Sequence, residues 1–198
     1  YGDHRDLHSF PTRRSSDLVT DPPYLTTSKG CYGTSGGMFT KPLAVKGQMF
    51  THNAVRTVEY ATHLHRVLKD GGHCYIMINH KNLVETLNVF QNIGFHFIKS
   101  LIWDKGNKIM GRFYMSQFEY ILFFRKGKGV QINHCGTSDI LSIPNKKTKR
   151  ADGQNLHDTE KPVQLMETLI SNSSNPNEVV LDCFMGSGST GVACKNLN

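Results

Sequence analysis

An α/β fold is predicted for this chain of 198 residues, and three observations predict it. Short apolar runs that read as strands alternate with segments of helical period. One of these runs stops at Asp21-Pro22-Pro23-Tyr24, where two prolines remove backbone donors and end any strand pairing. Another stops at Asp182 and passes through the glycine-rich turn of 182–191, DCFMGSGSTG, straight into a helix.

The elements follow in order. Leu18-Val19 is the end of a first strand, and residues 25–48, with five glycines, form a long loop. Residues 51–69 place Ala54, Val58, Ala61, His65 and Leu68 at three- and four-residue steps, which predicts a helix closed by Asp70-Gly71-Gly72. A buried strand over 73–79, a helix over 81–92 and a strand over 95–103 come next. FEYILFFRK, 118–126, is dense enough in apolar residues for an inner strand, antiparallel to the one before it. Residues 144–156 are polar and basic and read as a surface linker. A helix then starts near Pro162, NEVVLDCF contains a short strand, and the last helix begins near Thr190. About five strands are expected.

Composition narrows the function. No apolar run reaches the roughly 18 residues of a membrane span, and no signal peptide is present, so a soluble cytoplasmic protein is expected. Five cysteines without C-x-x-C spacing argue against a disulfide framework or a zinc knuckle. His63 and His65, two apart on a helix, face different sides, and no metal site is expected. The net charge of +7 is concentrated in residues 105–150, where ten Lys and Arg residues oppose only Glu119 and Asp139. That surplus fits contact with phosphate backbones, with Lys105, Lys108, Arg112, Lys146, Lys147, Lys149 and Arg150 as the nucleic-acid-binding candidates. Residues 1–18 show no strand or helix period. Their HSFPTRRSSDL stretch resembles translated adapter read-through, so a non-native or disordered start is expected, with the domain running from 19 to 198.

The chemistry lies at the two strand ends. A flat base bearing an amino group suits Asp21, the Pro22 and Pro23 bend and the Tyr24 ring. At the second site, glycine at 186 and 188 lets backbone approach a nucleotide-like ligand. A phosphate-binding P-loop is excluded, because Gly191-Val192 stands where the lysine is needed.

D-P-P-Y, then H-x-x-x-K-P at His157, Lys161 and Pro162, then F-x-G-x-G in that order resemble the S-adenosylmethionine-dependent amino-methyltransferases of DNA. More narrowly, they resemble the permuted beta class of adenine-N6 enzymes. The resemblance implies a Rossmann-like class I methyltransferase three-layer sandwich, with a mixed sheet that lacks the last two family strands. It further implies S-adenosylmethionine held by Asp182, Phe184, Gly186, Gly188 and Lys161, with weak binding by this chain. Asp21, Pro22, Pro23 and Tyr24 would form the catalytic set on a base flipped from double-stranded DNA. The alternatives are cytosine-N4 methylation, an RNA target, and a catalytically defective nucleic-acid-binding fragment. A restriction endonuclease partner, the oligomeric state and the target sequence stay open.

Overall fold

The computed structural model describes residues 15–23, 55–109, 113–149, 151–153 and 160–198. Ten elements are present among them: β1 (Asp17–Thr20), α1 (Thr57–Val67), β2 (His73–Ile78), α2 (Leu83–Ile93), β3 (Phe95–Ile109), β4 (Ser116–Lys126), β5 (Ile140–Ser142), α3 (Val163–Ser173), β6 (Val180–Leu181) and α4 (Ser189–Leu197). The strands form one mixed sheet in the order β5-β3-β4-β2-β1-β6. β1 runs parallel to both β2 and β6, while β4 runs antiparallel to β2 and β3. The antiparallel pair expected from the sequence is therefore present.

Alternation along the strands builds two separate cores. On one face Leu18, Cys74, Ile76, Ile78, Leu122 and Phe124 pack against Tyr60, Ala61 and Leu64 of α1 and Phe90 of α2. On the other face Val19, Tyr75, Met77, Trp103, Ile121 and Phe123 pack against Leu165, Met166, Leu169 and Ile170 of α3 and Ala193 of α4. Helices thus cover both sides of the sheet, which is the three-layer arrangement expected. α2 closes on Gly94 at φ 110°, a left-handed end that glycine adopts without strain.

Two expectations need correction. The sheet has six strands among the described residues where about five were expected. The extra one is β5, only three residues long. It is too short to show a period and pairs in parallel with Ile102, Trp103 and Asp104 of β3. Moreover, the boundary placed at residue 18 falls inside β1. Asp17 is 3% exposed, its Oδ1 accepts the His73 amide at 2.8 Å and its Oδ2 accepts the Ser174 hydroxyl at 2.8 Å. Ser15 and Ser16 are also tied in, through Ser15 N to Val67 O at 3.0 Å and Ser16 N to Val179 O at 2.8 Å. The expected loop of 25–48 and the start of the first helix before Val55 lie outside the described residues.

Candidate active site

The sheet order places the site. β1 continues through α1 on one face into β2, whereas β6, on the other side of β1, continues into α4 on the opposite face. The carboxyl ends of β1 and β6 therefore border a crevice at a topological switch point, the usual ligand position in open α/β sheets. Asp21-Pro22-Pro23 leaves β1 at this point, and Asp182 with the glycine turn leaves β6.

Asp182 fastens the two ends together. Its Oδ1 accepts the Thr20 hydroxyl at 2.5 Å and the Phe184 amide at 3.0 Å, and its Oδ2 accepts the Thr190 hydroxyl at 2.6 Å. Gly186 and Gly188 take φ of 53° and 84°, a region in which a side chain is strained. Among the described residues, a Cβ on Gly188 would meet nothing within 4 Å at the start of α4. Ser189 donates to the Lys161 carbonyl at 2.7 Å, joining the turn to the segment that leads into α3. Phe184 lies half-buried, its ring 5.4 Å from that of Tyr60 in an edge contact.

Asp21 stands in a different setting. It follows Val19 by two residues and so continues the face that packs on α3. Its Oδ2 accepts from the Lys161 ammonium, and its Oδ1 is buried without a hydrogen-bond partner among the described residues. Glu119, at the start of β4, lies with Oε2 3.7 Å from Lys161 Nζ, while its Oε1 accepts from Lys105 Nζ at 2.6 Å. Two carboxylates and two ammonium groups thus form one neutral cluster, with side chains 24% exposed at Asp21, 11% at Lys161, 20% at Glu119 and 8% at Lys105.

Burial pushes the Asp21 carboxyl above its ordinary value. Lys161 opposes that push, and Glu119 and Asp182 add to it. For Lys161, burial acts downward, but Asp21 and Glu119 outweigh it and hold the ammonium above its usual range. Glu119 shows the same competition with the opposite sign. Burial raises its carboxyl, yet Lys161 and Lys105 together hold it below the ordinary value.

Lys161 reaches Asp21 with its ammonium and Ser189 of the glycine turn with its carbonyl, and Asp182 ties Thr20, next to Asp21, to Phe184 and Thr190, while Pro22 and Pro23 follow Asp21 directly. Tyr24, His157, Arg112 and Arg150 lie outside the described residues. Lys105 is a correction. It shares a strand face with Trp103, sits 5.2 Å from the centre of that ring and is paired with Glu119, so it is buried and not a surface phosphate contact. Lys108, Lys146 and Lys149 are exposed and Lys147 is half-buried.

Sequence reading missed Glu119, whose importance depends on β4 lying opposite Trp103 in register. It also missed the end of the β3–β4 hairpin. Tyr120 pairs with Ile78 at the end of β2, and β4 begins four residues earlier, so the hairpin overhangs the crevice side of the sheet by about 13 Å. Phe113 and Tyr114 beyond it are 88% and 94% exposed. The aromatic pair FY between two basic runs was the available signal.

Comparison with known proteins agrees with this geometry. The chain is 27% identical to the type II methyltransferase M.HinfI of Haemophilus influenzae, over 96% of this chain and 59% of that protein. It therefore spans about three fifths of that relative's length. Among solved structures, the complex of M1.HpyAVI with SAM superposes with a TM-score of 0.65 at 24% identity, over 94% of this chain and 79% of the other. The cytosine-N4-specific PvuII DNA methyltransferase gives 0.70 at 16% identity, over 96% and 74%. These two likenesses support the fold. The model of the DNA methylase family matches residues 17–198, nearly the whole chain, and the protein belongs to that family.

Proposed function

We propose that the chain is the catalytic part of a DNA methyltransferase that moves a methyl group from S-adenosylmethionine to the N6 amino group of adenine in double-stranded DNA. The observation that carries this reading is Asp21 Oδ1 at the switch point, buried and without a partner among the described residues, beside a glycine turn that no described residue crowds. A buried acceptor without a donor is costly, by about 1–3 kcal/mol, unless a ligand supplies the donor. An exocyclic amino group supplies it.

The residues fit the expected cofactor. The positive-φ glycines and the amino end of α4 give backbone donors and an uncrowded wall, with Phe184 alongside. When bound, S-adenosylmethionine would supply an electrophilic methyl on a sulfonium sulfur. The protein's part is to make a poor nucleophile attack it. Asp21 Oδ1 and the Pro22 carbonyl would accept the two N–H groups of the amino nitrogen, drawing them from the ring plane and localising the lone pair. Tyr24 would stack on the flipped base, worth about 1–3 kcal/mol. On accepting such a methyl the amino nitrogen would have one proton to lose. Asp21, with its carboxyl raised by burial, is placed to take it.

Lys108, Lys146, Lys147 and Lys149, with Arg112 and Arg150 from the sequence, are proposed to contact the duplex backbone, and the exposed Tyr114 and Phe113 the distorted target site. No helix among the described residues is long and apolar enough to cross a membrane. Action in a bacterial cytoplasm, with or without a restriction endonuclease, is part of the proposal.

Cytosine-N4 methylation is the second reading, favoured by the superposition on PvuII methyltransferase. The aspartate at position 21 favours adenine. Incubation of mixed oligonucleotide duplexes with tritiated cofactor, followed by nucleoside analysis, separates the two. N6-methyladenine is expected, and its loss in Asp21→Ala. Label in N4-methylcytosine would replace the first reading with the second, and no label on any DNA would overturn both.

A further inference from the structure

Asp21 has a role in the proposed transfer, whereas the half-buried Glu119 and the buried Lys105 have none there. They come from β4 and β3, not from either motif. Their placement is specific. Residues 119, 121 and 123 share one face of β4, and Glu119 continues the apolar row of Ile121 and Phe123 toward the crevice. Lys105 continues the row of Trp103 on the neighbouring strand, lies 5.2 Å from its ring centre and takes Glu119 Oε1 at 2.6 Å. The second Glu119 oxygen then faces Lys161 Nζ at 3.7 Å, buried and without a hydrogen bond among the described residues.

We propose that Glu119, held in orientation by Lys105, is a positioning residue that divides the Lys161 ammonium between two carboxylates and so keeps one oxygen of Asp21 unpaired in the crevice. The inference rests on the assignment of Asp21 as the group that receives the target amino hydrogen.

An ammonium facing a single buried carboxylate is drawn toward both of its oxygens. A second carboxylate on the far side opposes that movement, and Lys161 settles on Oδ2 alone. Lys105 is needed in turn because an unpaired Glu119 would pull Lys161 away from Asp21 altogether. Among the described residues, the charged groups around Asp21 are therefore Lys161 ahead of α3, Glu119 from β4, Lys105 behind Glu119 from β3, and Asp182 from the end of β6.

Two substitutions should move the same group in opposite directions. Glu119→Gln removes a negative neighbour and gives Lys161 entirely to Asp21, so the Asp21 titration midpoint should fall by roughly one pH unit. Lys105→Met frees Glu119 to compete for Lys161, so the midpoint should rise. Carboxyl carbon NMR on the ligand-free protein reads this directly, with the Asp21 signal assigned by its disappearance in Asp21→Asn. In single-turnover transfer at saturating cofactor, Glu119→Gln should be slower by about tenfold, with cofactor affinity within threefold of the parent. Shifts of opposite sign would support the proposal. An unmoved Asp21 midpoint, or shifts of the same sign, would overturn it, as expected if the pair served only to fill the sheet edge. Should Glu119→Gln fail to fold, a rise in Lys105→Met supports the proposal and its absence overturns it. Failure of the parent to methylate DNA would count against the function proposed above, and the titration would still decide the role of Glu119.

Discussion

Asp21 and Asp182 end neighbouring parallel strands, yet they are used in opposite ways. Asp182 spends both oxygens on Thr20, Phe184 and Thr190, all neutral donors supplied by adjacent backbone and hydroxyl groups. Asp21 has one oxygen on the half-buried Lys161 and the other buried and unclaimed among the described residues. A carboxylate whose acceptor capacity is filled holds structure together, and one buried with capacity unfilled at a strand end can take a ligand's donor. Residue type alone does not separate the two roles. Hydrogen-bond accounting does.

The sharpest break in that comparison comes from Asp21→Asn. Methyl transfer should drop by about 10²–10³-fold, because the amide offers one acceptor and no charge. The folded state should persist, as the side chain keeps its size. Asp182→Ala should act on stability, removing an anchor for three donors at a cost of about 2–4 kcal/mol, read as a lower denaturant midpoint. Gly188→Ala is milder. The left-handed φ of 84° costs a side chain about 1–2 kcal/mol, and the added methyl would intrude on the proposed cofactor position, so affinity should fall as stability dips.

The pH dependence sharpens the contrast further. Burial raises the Asp21 carboxyl above 3.8, so it stays protonated to a higher pH than an exposed aspartate and accepts poorly there. Transfer should therefore rise with pH through a midpoint above that value. Replacing Lys161 with Met removes the charge that opposes burial and should move the midpoint higher still. The smallest effect belongs to the exposed Lys108. Its replacement by Ala should weaken DNA binding almost equally for all sequences and reduce the salt dependence by about one unit.

Much of this site was legible because its parts are local. Asp21-Pro22-Pro23 announces a strand that must end, and Gly186 and Gly188 announce a turn at positive φ, without knowledge of the partner strands. The helices were legible from their apolar period, with differences at the ends. β5 was not, since three residues carry no period and its place beside β3 is set by pairing. Lys105 was misread for a related reason. In a basic stretch it looks like a surface residue, and only the alternation from Trp103 and the register to Glu119 turns it inward. Asp17 shows the reverse error. A segment without period, resembling foreign sequence, supplies a buried carboxylate that joins β1 to His73 and Ser174.

The central claim is that the open oxygen of Asp21 receives the target amino group while Asp182 only maintains the cofactor wall. Single-turnover methyl transfer at saturating cofactor and DNA, measured side by side for Asp21→Asn, Asp182→Asn and the parent, tests it most directly. The account predicts a loss of about 10²–10³-fold for Asp21→Asn with parental cofactor affinity, and weakened cofactor affinity with largely recovered transfer for Asp182→Asn. Transfer by Asp21→Asn within threefold of the parent would contradict it.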